Sequence, residues 1–266
     1  MSHRQQPAGQ RSDGQHPAGR TVQLPTLVVS IDGPSGSGKS STARGVAQRL
    51  GLRFLDTGAM YRAVAWAALH HGVAGQDDEA LMAVAEAVQL TMGTDPDAPS
   101  VQLNGHDITR AIREPDVTGY VGNVATVQPI RDLLTDQMRD IIAACRRIVV
   151  EGRDITTVVY PQAQVRVLLV ADPRVRVRRR ETELAGAVEH AVVRQQVVGR
   201  DATDATMSQF DTPAPGVTLI DSTELSLTEV IDRVCALVPP ELLDPNRSES
   251  MAGTPKDLPG GRPVSR

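Results

Sequence analysis

The stretch DGPSGSGKS, from Asp32 to Ser40, decides the fold of this chain. It follows the apolar run Leu27–Ile31 and precedes residues 41–50, whose apolar positions recur at helical spacing. Glycines allow the backbone to approach a phosphate closely, and the N–H groups at a helix N-terminus favour an anion. Because the pattern G-x-x-x-x-G-K-[ST] lies between a strand and a helix, it predicts a phosphate-binding loop.

This loop assigns roles to its own residues. Lys39 is expected to neutralise the β- and γ-phosphates of a nucleotide, and the Ser40 hydroxyl is expected to bind Mg²⁺ directly. The residues predicted to bind the nucleotide phosphates are Gly33, Pro34, Ser35, Gly36, Ser37, Gly38, Lys39, Ser40 and Ser41.

Composition limits the classes of function. Net charge is −4, so binding to nucleic acid or to a membrane has no support from bulk electrostatics. Only 2% of the residues are aromatic, so platforms for stacking on single-stranded nucleic acid are scarce. The two cysteines match no metal-binding spacing. No long apolar run and no hydrophobic signal core occur, so we expect a cytoplasmic protein.

The chain divides into a folded region and two tails. Residues 1–24 and 239–266 are rich in polar residues, Gly and Pro, and are predicted to be disordered. Residues 25–238 form one predicted domain. Its short apolar runs are typical of buried parallel strands: 27–31, 52–55, 148–150, 165–170 and 217–220. Helical patterns alternate with them, which predicts an α/β fold with a five-stranded parallel sheet and helices on both faces.

One segment departs from this alternation. Asn104-Gly105 lies between two extended stretches, which is a two-residue hairpin signal. Hairpins do not belong in a doubly wound parallel sheet. We therefore predict a small antiparallel insertion at about residues 92–115.

A phosphate loop alone is compatible with GTPases, ATPases and kinases, and four further blocks narrow the choice. The blocks are LDTGAMYR at 55–62, VQLNGHDITRAIR at 101–113, EGRD at 151–154 and RDATD at 200–204. Together they resemble bacterial cytidylate kinase, a nucleoside-monophosphate kinase of the P-loop class. The resemblance runs from about Leu27 to Leu237.

The resemblance implies a core, an inserted monophosphate-binding domain and a lid at about 182–206. ATP with Mg²⁺ and CMP or dCMP would bind side by side, and the γ-phosphoryl would pass in line to the monophosphate. Such a reaction needs positioning and charge neutralisation more than covalent catalysis. The resemblance also implies a monomer, while the net charge and composition predict no nucleic-acid or membrane partner.

The matching residues of the acceptor site carry roles over from the family. Arg62 and Arg153 resemble the arginines that hold the acceptor phosphate, and Thr57 stands at the usual Ser/Thr position beside Arg62. A guanidinium suits this task because it donates two parallel hydrogen bonds to phosphate. Residues that match the family's contacts to the sugar, its phosphate and the cytosine edge are Asp154, Arg200, Asp204 and Arg131.

The same resemblance gives roles around the transferred phosphoryl group. Arg176, Arg179 and Arg180 fit the helix that leads into the lid, and some of them are expected to face the ATP phosphates. The residues expected to be catalytic are Lys39, Arg153 and Arg180. Asp32 is open to two interpretations, as an acid at a strand end or as a carboxylate that orders Mg²⁺-bound water.

Two positions depart from the family pattern. Gly122 stands where the family usually has a serine that contacts the base, with Asn123 as a substitute, and Met207 stands where a second lid arginine is usual. A missing hydrogen-bonding group at a base can cost a large factor in discrimination. These departures bear on cytosine selectivity and leave phosphate binding unaffected.

Three alternatives stand beside a CMP/dCMP kinase, and the sequence excludes the third of them. A P-loop kinase could act on another acceptor, such as UMP, AMP or shikimate. A non-catalytic nucleotide-binding module would be favoured if Arg62 or Arg153 were absent, and both are present. A small GTPase needs an Asn-Lys-x-Asp motif, and neither of the two lysines, Lys39 and Lys256, follows an asparagine.

Overall fold

The computed structural model describes residues 24–183 and 212–243. The predicted site residues Arg200 and Asp204, together with Met207, lie outside these ranges. The predicted lid also lies outside them, apart from its first two positions.

The core is a parallel sheet of five strands, as predicted. The strands are β1 (Leu27–Asp32), β2 (Arg53–Asp56), β6 (Arg147–Gly152), β7 (Val165–Val170) and β8 (Thr218–Asp221). Their order is β2-β6-β1-β7-β8, and every neighbouring pair is parallel. Because the first strand of the chain lies in the middle, its loop opens at the centre of the sheet.

Seven α-helices accompany the strands among the described residues. They are α1 (Lys39–Leu50), α2 (Thr57–His70), α3 (Asp78–Ala87), α4 (Pro115–Ala125), α5 (Gln128–Cys145), α6 (Pro173–Glu183) and α7 (Leu227–Cys235). Side chains of successive strand residues point to opposite faces, so each strand contributes to two cores. Val28, Ile148 and Val150 pack with α2 to α5 on one face. Val29 and Val149 pack with α1 and α7 on the other.

The predicted antiparallel insertion is a sheet of three short strands. These are β3 (Leu90–Met92), β4 (Val101–Leu103) and β5 (His106–Asp107), with Asn104 and Gly105 at the turn. The strands begin two residues earlier than the boundary predicted at 92. Their apolar side chains and the turn that follows pack on small residues of α2, the alanines at 59, 63 and 67. Small residues on that helix face let the insertion approach the core closely.

The C-terminal boundary extends further than predicted. We expected a disordered tail from residue 239, but Pro240–Leu242 form a 3₁₀ turn. Leu242 packs against the α1/α7 core, and both terminal nitrogens of Arg147 donate to its carbonyl at 3.1 Å. Apolar contact and hydrogen bonding therefore hold the first residues of this segment to the domain. Within the described ranges, no helix has both the length and the apolar character that crossing a membrane requires.

Candidate active site

The carboxyl ends of three adjacent strands, β2, β6 and β1, bring the acidic residues of the site together. In the register of the sheet, Asp32 at the end of β1 pairs with Gly152, and Asp56 at the end of β2 pairs with Glu151. Ligands of open α/β sheets bind at this edge, where strand order reverses around the first strand. The glycine-rich loop leaves β1 at the same edge.

The loop has the backbone that its glycines predicted. Gly36 and Gly38 have φ values of 74° and 89°, which lie in the left-handed region that side chains disfavour. A Cβ on Gly33 would overlap the Leu169 carbonyl. Helix α1 begins at Lys39, whose Nζ donates to the Pro34 carbonyl at 3.4 Å across the loop. The ammonium thus lies over the mouth of the loop, at a helix N-terminus.

Glu151 is a site residue that we did not single out from the sequence. It is 2% exposed, and Ser40 Oγ donates to its Oε1 at 2.6 Å. Burial raises its pKa, and the nearby negative charge of Asp56 adds to that effect. A signal was present in the sequence, since Glu151 is the first residue of the EGRD block at the end of a predicted strand.

Asp32 has different partners from those expected of a residue that orders metal-bound water. Its Oδ1 accepts from the Ile155 N–H at 2.9 Å, and its Oδ2 accepts from the Thr156 N–H and hydroxyl at 2.8 and 2.6 Å. Burial raises the pKa of this carboxyl, although these hydrogen bonds favour its ionised form. Both oxygens fasten the turn after β6 to β1, so the acid beside Ser40 is Glu151.

Arg62 lies half-buried on α2, next to the carboxylate that caps this helix. Asp56 accepts from the Ala59 N–H at the helix start, and its Oδ2 lies 3.8 Å from Arg62 Nη1 and 3.3 Å from Arg113 Nη2. Burial raises the pKa of Asp56, but Arg62 and Arg113 outweigh it and hold the value below normal. Arg62 Nη1 is buried and has no hydrogen-bond partner. An anion at that nitrogen would satisfy it.

Two other predicted acceptor-site residues contact the backbone of the site. The Thr57 hydroxyl donates to the Glu151 carbonyl at 2.7 Å, which ties the start of α2 to β6. Arg153 Nη1 donates to the Gly33 carbonyl at 2.9 Å, which brings this arginine to the base of the phosphate loop. Arg153 therefore lies between the predicted donor and acceptor sites.

Arg131 and Asp154 were predicted to contact different parts of the nucleotide, and the structure pairs them with each other. Arg131 Nη2 donates to Asp154 Oδ2 at 2.5 Å, and its Nη1 donates to the Ala125 carbonyl at 3.2 Å. Tyr61 is close by: burial, together with the charge of Asp154, raises its pKa to about 12. The phenol is thus neutral at physiological pH and available as a hydrogen-bond donor.

The three arginines of α6 fall into two groups. Arg176 and Arg179 donate to loop carbonyls, those of Ser35 at 3.0 Å and Ser37 at 3.3 Å. Arg180 is close enough to Arg62 for its charge to lower the pKa of that arginine, alongside the larger effect of burial.

Gly122, which departs from the family pattern, and its neighbour Asn123 lie on α4 in contrasting surroundings. A Cβ added to Gly122 would meet no atom within 4 Å, so the helix leaves open space at that position. The Asn123 amide instead packs against Gly75 in the loop between α2 and α3. Its amide therefore contacts this loop rather than replacing a side chain at position 122.

These groups form one cluster of charged side chains beside the phosphate loop, in which cations outnumber carboxylates. The cations Lys39, Arg62, Arg153 and Arg180 lie near Asp56, the last residue of β2, and Glu151, the residue before the end of β6. Residues 24–183 and 212–243 contain no cluster of three or more His, Cys, Asp or Glu that could hold a metal ion. The arrangement suits phosphate groups on two ligands and a metal held mainly by those phosphates.

Comparison with known proteins agrees with this geometry. The family model described as "Cytidylate kinase" matches residues 29–239. The chain is 54% identical over 214 residues to the cytidylate kinase of Cutibacterium acnes, covering 80% of this chain and 96% of that protein. It is 44% identical over 216 residues to the cytidylate kinase of Nocardia farcinica, covering 80% of this chain and 93% of that protein. The phosphate loop, the arginines beside it and a match over almost the whole domain place this chain in the cytidylate kinase family.

Proposed function

We propose that this protein transfers the γ-phosphoryl group of ATP to CMP and dCMP, and so produces ADP with CDP or dCDP. The membership of the family and the names of the similar proteins support this activity. The structural observation that carries it is the buried Arg62 Nη1, which lacks a hydrogen-bond partner beside the phosphate-loop edge. A buried guanidinium nitrogen without a partner is costly unless a ligand supplies one.

On the donor side, residues 33–41 would cradle the triphosphate. Their N–H groups and the α1 N-terminus favour an anion, and Lys39 adds a positive charge at the β- and γ-phosphates. Ser40 and Glu151 fit a magnesium ion, because they place a hydroxyl and a buried carboxylate 2.6 Å apart at the end of the loop. Ser40 would bind the ion directly and Glu151 through water, which is the role first considered for Asp32. Bound there, Mg²⁺ would neutralise charge on the donor phosphates.

On the acceptor side, Arg62 and Arg153 would hold the phosphate of CMP. The Thr57 hydroxyl retains acceptor capacity while its proton is donated to Glu151. The sugar and the cytosine edge would contact residues that include two outside the described ranges: Asp154, Arg131, Arg200 and Asp204. Because Arg131 and Asp154 already pair with each other, the nucleotide would bind to their remaining donors and acceptors.

Transfer then depends on charge and position. A phosphate oxygen of CMP attacks the γ-phosphorus while the bond to the β-phosphate oxygen breaks, and no covalent enzyme intermediate is needed. Lys39, Arg153 and Arg180 would stabilise negative charge on the oxygens of the transferring group. Arg153 is suited to both nucleotides, since it contacts Gly33 of the loop. We further propose that the enzyme acts as a monomer without nucleic acid.

The test is an ADP-release assay with ATP and Mg²⁺ and one acceptor at a time: CMP, dCMP, UMP, AMP, GMP and shikimate. We expect selective turnover of CMP and dCMP. Equal turnover of UMP would assign the enzyme a broader pyrimidine acceptor range. Turnover of shikimate alone, or of no acceptor while ATP still binds, would contradict the proposal.

A further inference from the structure

The outer side of the phosphate loop contacts α6 directly. A loop that turns its N–H groups inward to a phosphate turns carbonyl oxygens outward, and each of these needs a donor. Arg176 Nη1 donates to the Ser35 carbonyl at 3.0 Å, and Arg179 Nη1 donates to the Ser37 carbonyl at 3.3 Å. The carbonyls of Ser35 and Ser37, two residues apart in the loop, are thus bound by arginines one turn apart on the same helix.

Ser222, just after β8, completes the second of these contacts. Its Oγ donates to the Ser37 carbonyl at 3.1 Å, and the side chain is buried. Arg179 binds both oxygens of this serine, with Nη1 to Oγ at 2.9 Å and Nη2 to the carbonyl at 2.7 Å. Ser222 is itself held in the sheet, because its N–H donates to Val170 at 2.8 Å. The guanidinium therefore joins α6, β8 and the loop.

The packing leaves little freedom for the loop against this helix. A Cβ on Gly36 would lie 2.6 Å from the Arg176 carbonyl oxygen, a distance that side-chain carbons do not adopt. A Cβ on Gly38 would lie 3.8 Å from Arg179 Nη1. Glycine at position 36 is needed for this close contact as well as for its φ value.

The peptide bond links the outer contacts to the inner surface of the loop. In a trans peptide, the C=O of one residue and the N–H of the next lie in one plane and point in opposite directions. When Arg179 and Ser222 hold the Ser37 carbonyl outward, they hold the Gly38 N–H inward. In the same way, Arg176 at the Ser35 carbonyl orients the Gly36 N–H. The side chains that bind the outer carbonyls thus orient the N–H groups that would face a phosphate.

We propose that Arg179, with Ser222, is a positioning residue for the phosphate loop and sets the affinity of the protein for the donor triphosphate. The identity of that donor as ATP rests on the proposed function. Arg179 acts through the loop backbone, since its guanidinium is engaged by Ser37 and Ser222. Because Arg179 lies on α6, its guanidinium couples the orientation of that helix to the phosphate-binding conformation of the loop.

The test compares Arg179→Met with Arg178→Met, a matched control. Arg178 is the preceding residue of the same helix and is exposed. Calorimetry would measure the Kd of ATP with Mg²⁺, steady-state kinetics would measure KM for ATP and for CMP, and thermal unfolding would report Tm. We expect Arg179→Met to weaken ATP binding by about tenfold or more, because hydrogen bonds from a charged group are lost. KM for CMP should stay unchanged, and Arg178→Met should match the wild type.

Two further variants separate positioning from overall stability. Ser222→Ala keeps the arginine and removes one donor to the Ser37 carbonyl, so we expect it to raise the Kd for ATP by a smaller factor. Arg179→Lys should restore part of the affinity, since an ammonium reaches one acceptor but cannot bridge two. The proposal would be overturned if Arg179→Met and Ser222→Ala both bound ATP as tightly as Arg178→Met does. The proposal would also be overturned if Arg179→Met impaired ATP and CMP binding by the same factor and in proportion to the fall in Tm.

The calorimetric result also keeps this inference separate from the proposed reaction. If the wild-type protein binds ATP but phosphorylates neither CMP nor dCMP, the proposed function fails. The effect of Arg179→Met on ATP binding would still support or overturn the positioning role.

Discussion

Arg131 and Asp154 form an ion pair at 2.5 Å, with side chains that are 14% and 13% exposed. Each residue was expected to contact the acceptor nucleotide, the arginine at the base and the aspartate at the sugar. Burial raises the pKa of Asp154, while Arg131 and Arg153 favour its ionised form. The pair would therefore organise the proposed acceptor site before a nucleotide binds, because each charge fixes the direction of the other.

This pairing predicts strong coupling between the two side chains. Removing one partner leaves the other charge buried, so Arg131→Met and Asp154→Asn should each lower the free energy of unfolding by about 3 kcal/mol. The double variant should lose much less than the sum of the two. Urea denaturation of the four proteins measures this coupling. Additive losses would show that the pair contributes nothing of its own.

Lys39→Ala should abolish phosphoryl transfer while leaving the fold intact. The Lys39 ammonium donates to the Pro34 carbonyl of its own loop, and helix α1 and the sheet keep their packing when it is removed, so Tm should shift little. The chain has only two lysines, and Lys256→Ala is the matched control because it lies in the tail sequence. Initial rates of ADP release and thermal unfolding report the two effects. Turnover by Lys39→Ala at the wild-type rate would refute the assignment of the loop lysine.

Glu151→Gln should make the nucleotide-free protein more stable and the enzyme inactive. Burial raises the pKa of Glu151 above that of the unfolded chain, so the folded state binds its proton more tightly. The stability contributed by this group is therefore present at low pH and is lost as the pH rises through its folded pKa. Glutamine keeps an oxygen for the Ser40 hydroxyl and carries no charge.

The corresponding measurement is Tm of both proteins across a range of pH. In acid, Glu151 is protonated in both the folded and the unfolded wild type, so the two proteins should have similar Tm values. The higher Tm of Glu151→Gln should appear as the pH rises and should grow towards neutral pH. A constant difference between the proteins, or one that shrinks as pH rises, would contradict a raised pKa. Activity measured with Mg²⁺ should be lost throughout.

Gly122→Ser should be tolerated and should sharpen the choice of base. Open space surrounds the position, and serine is a better helix former than glycine by about 0.5 kcal/mol. The added hydroxyl stands where the family usually has a base-contacting serine. Gly119→Ser is the matched control, because Gly119 lies one turn earlier on α4 and is equally open. The ratio of kcat/KM for CMP to that for UMP should rise in Gly122→Ser alone, and equal ratios in the two variants would exclude this role.

Much of the fold follows from local patterns in the sequence. Short apolar runs alternate with helical periodicity, and this predicted all five strands of the parallel sheet. The Asn104-Gly105 turn identified the antiparallel insertion, because such a turn requires two residues that accept positive φ. The glycine pattern before Lys39 identified the phosphate loop. These signals act between neighbours in the chain, so they are readable without the tertiary structure.

The sequence by itself thus determined the fold class, the loop and the family of this protein. Only the tertiary structure decided which side chains face each other in the site. Ser40 meets Glu151 across 111 positions of sequence, and Asp32 binds Thr156 across 124. Such partners are set by the register between β1 and β6, which arises from packing of the whole sheet rather than from any local pattern. For the same reason, a helix of arginines could be recognised in the sequence, while the contact of Arg179 with the back of the phosphate loop could not.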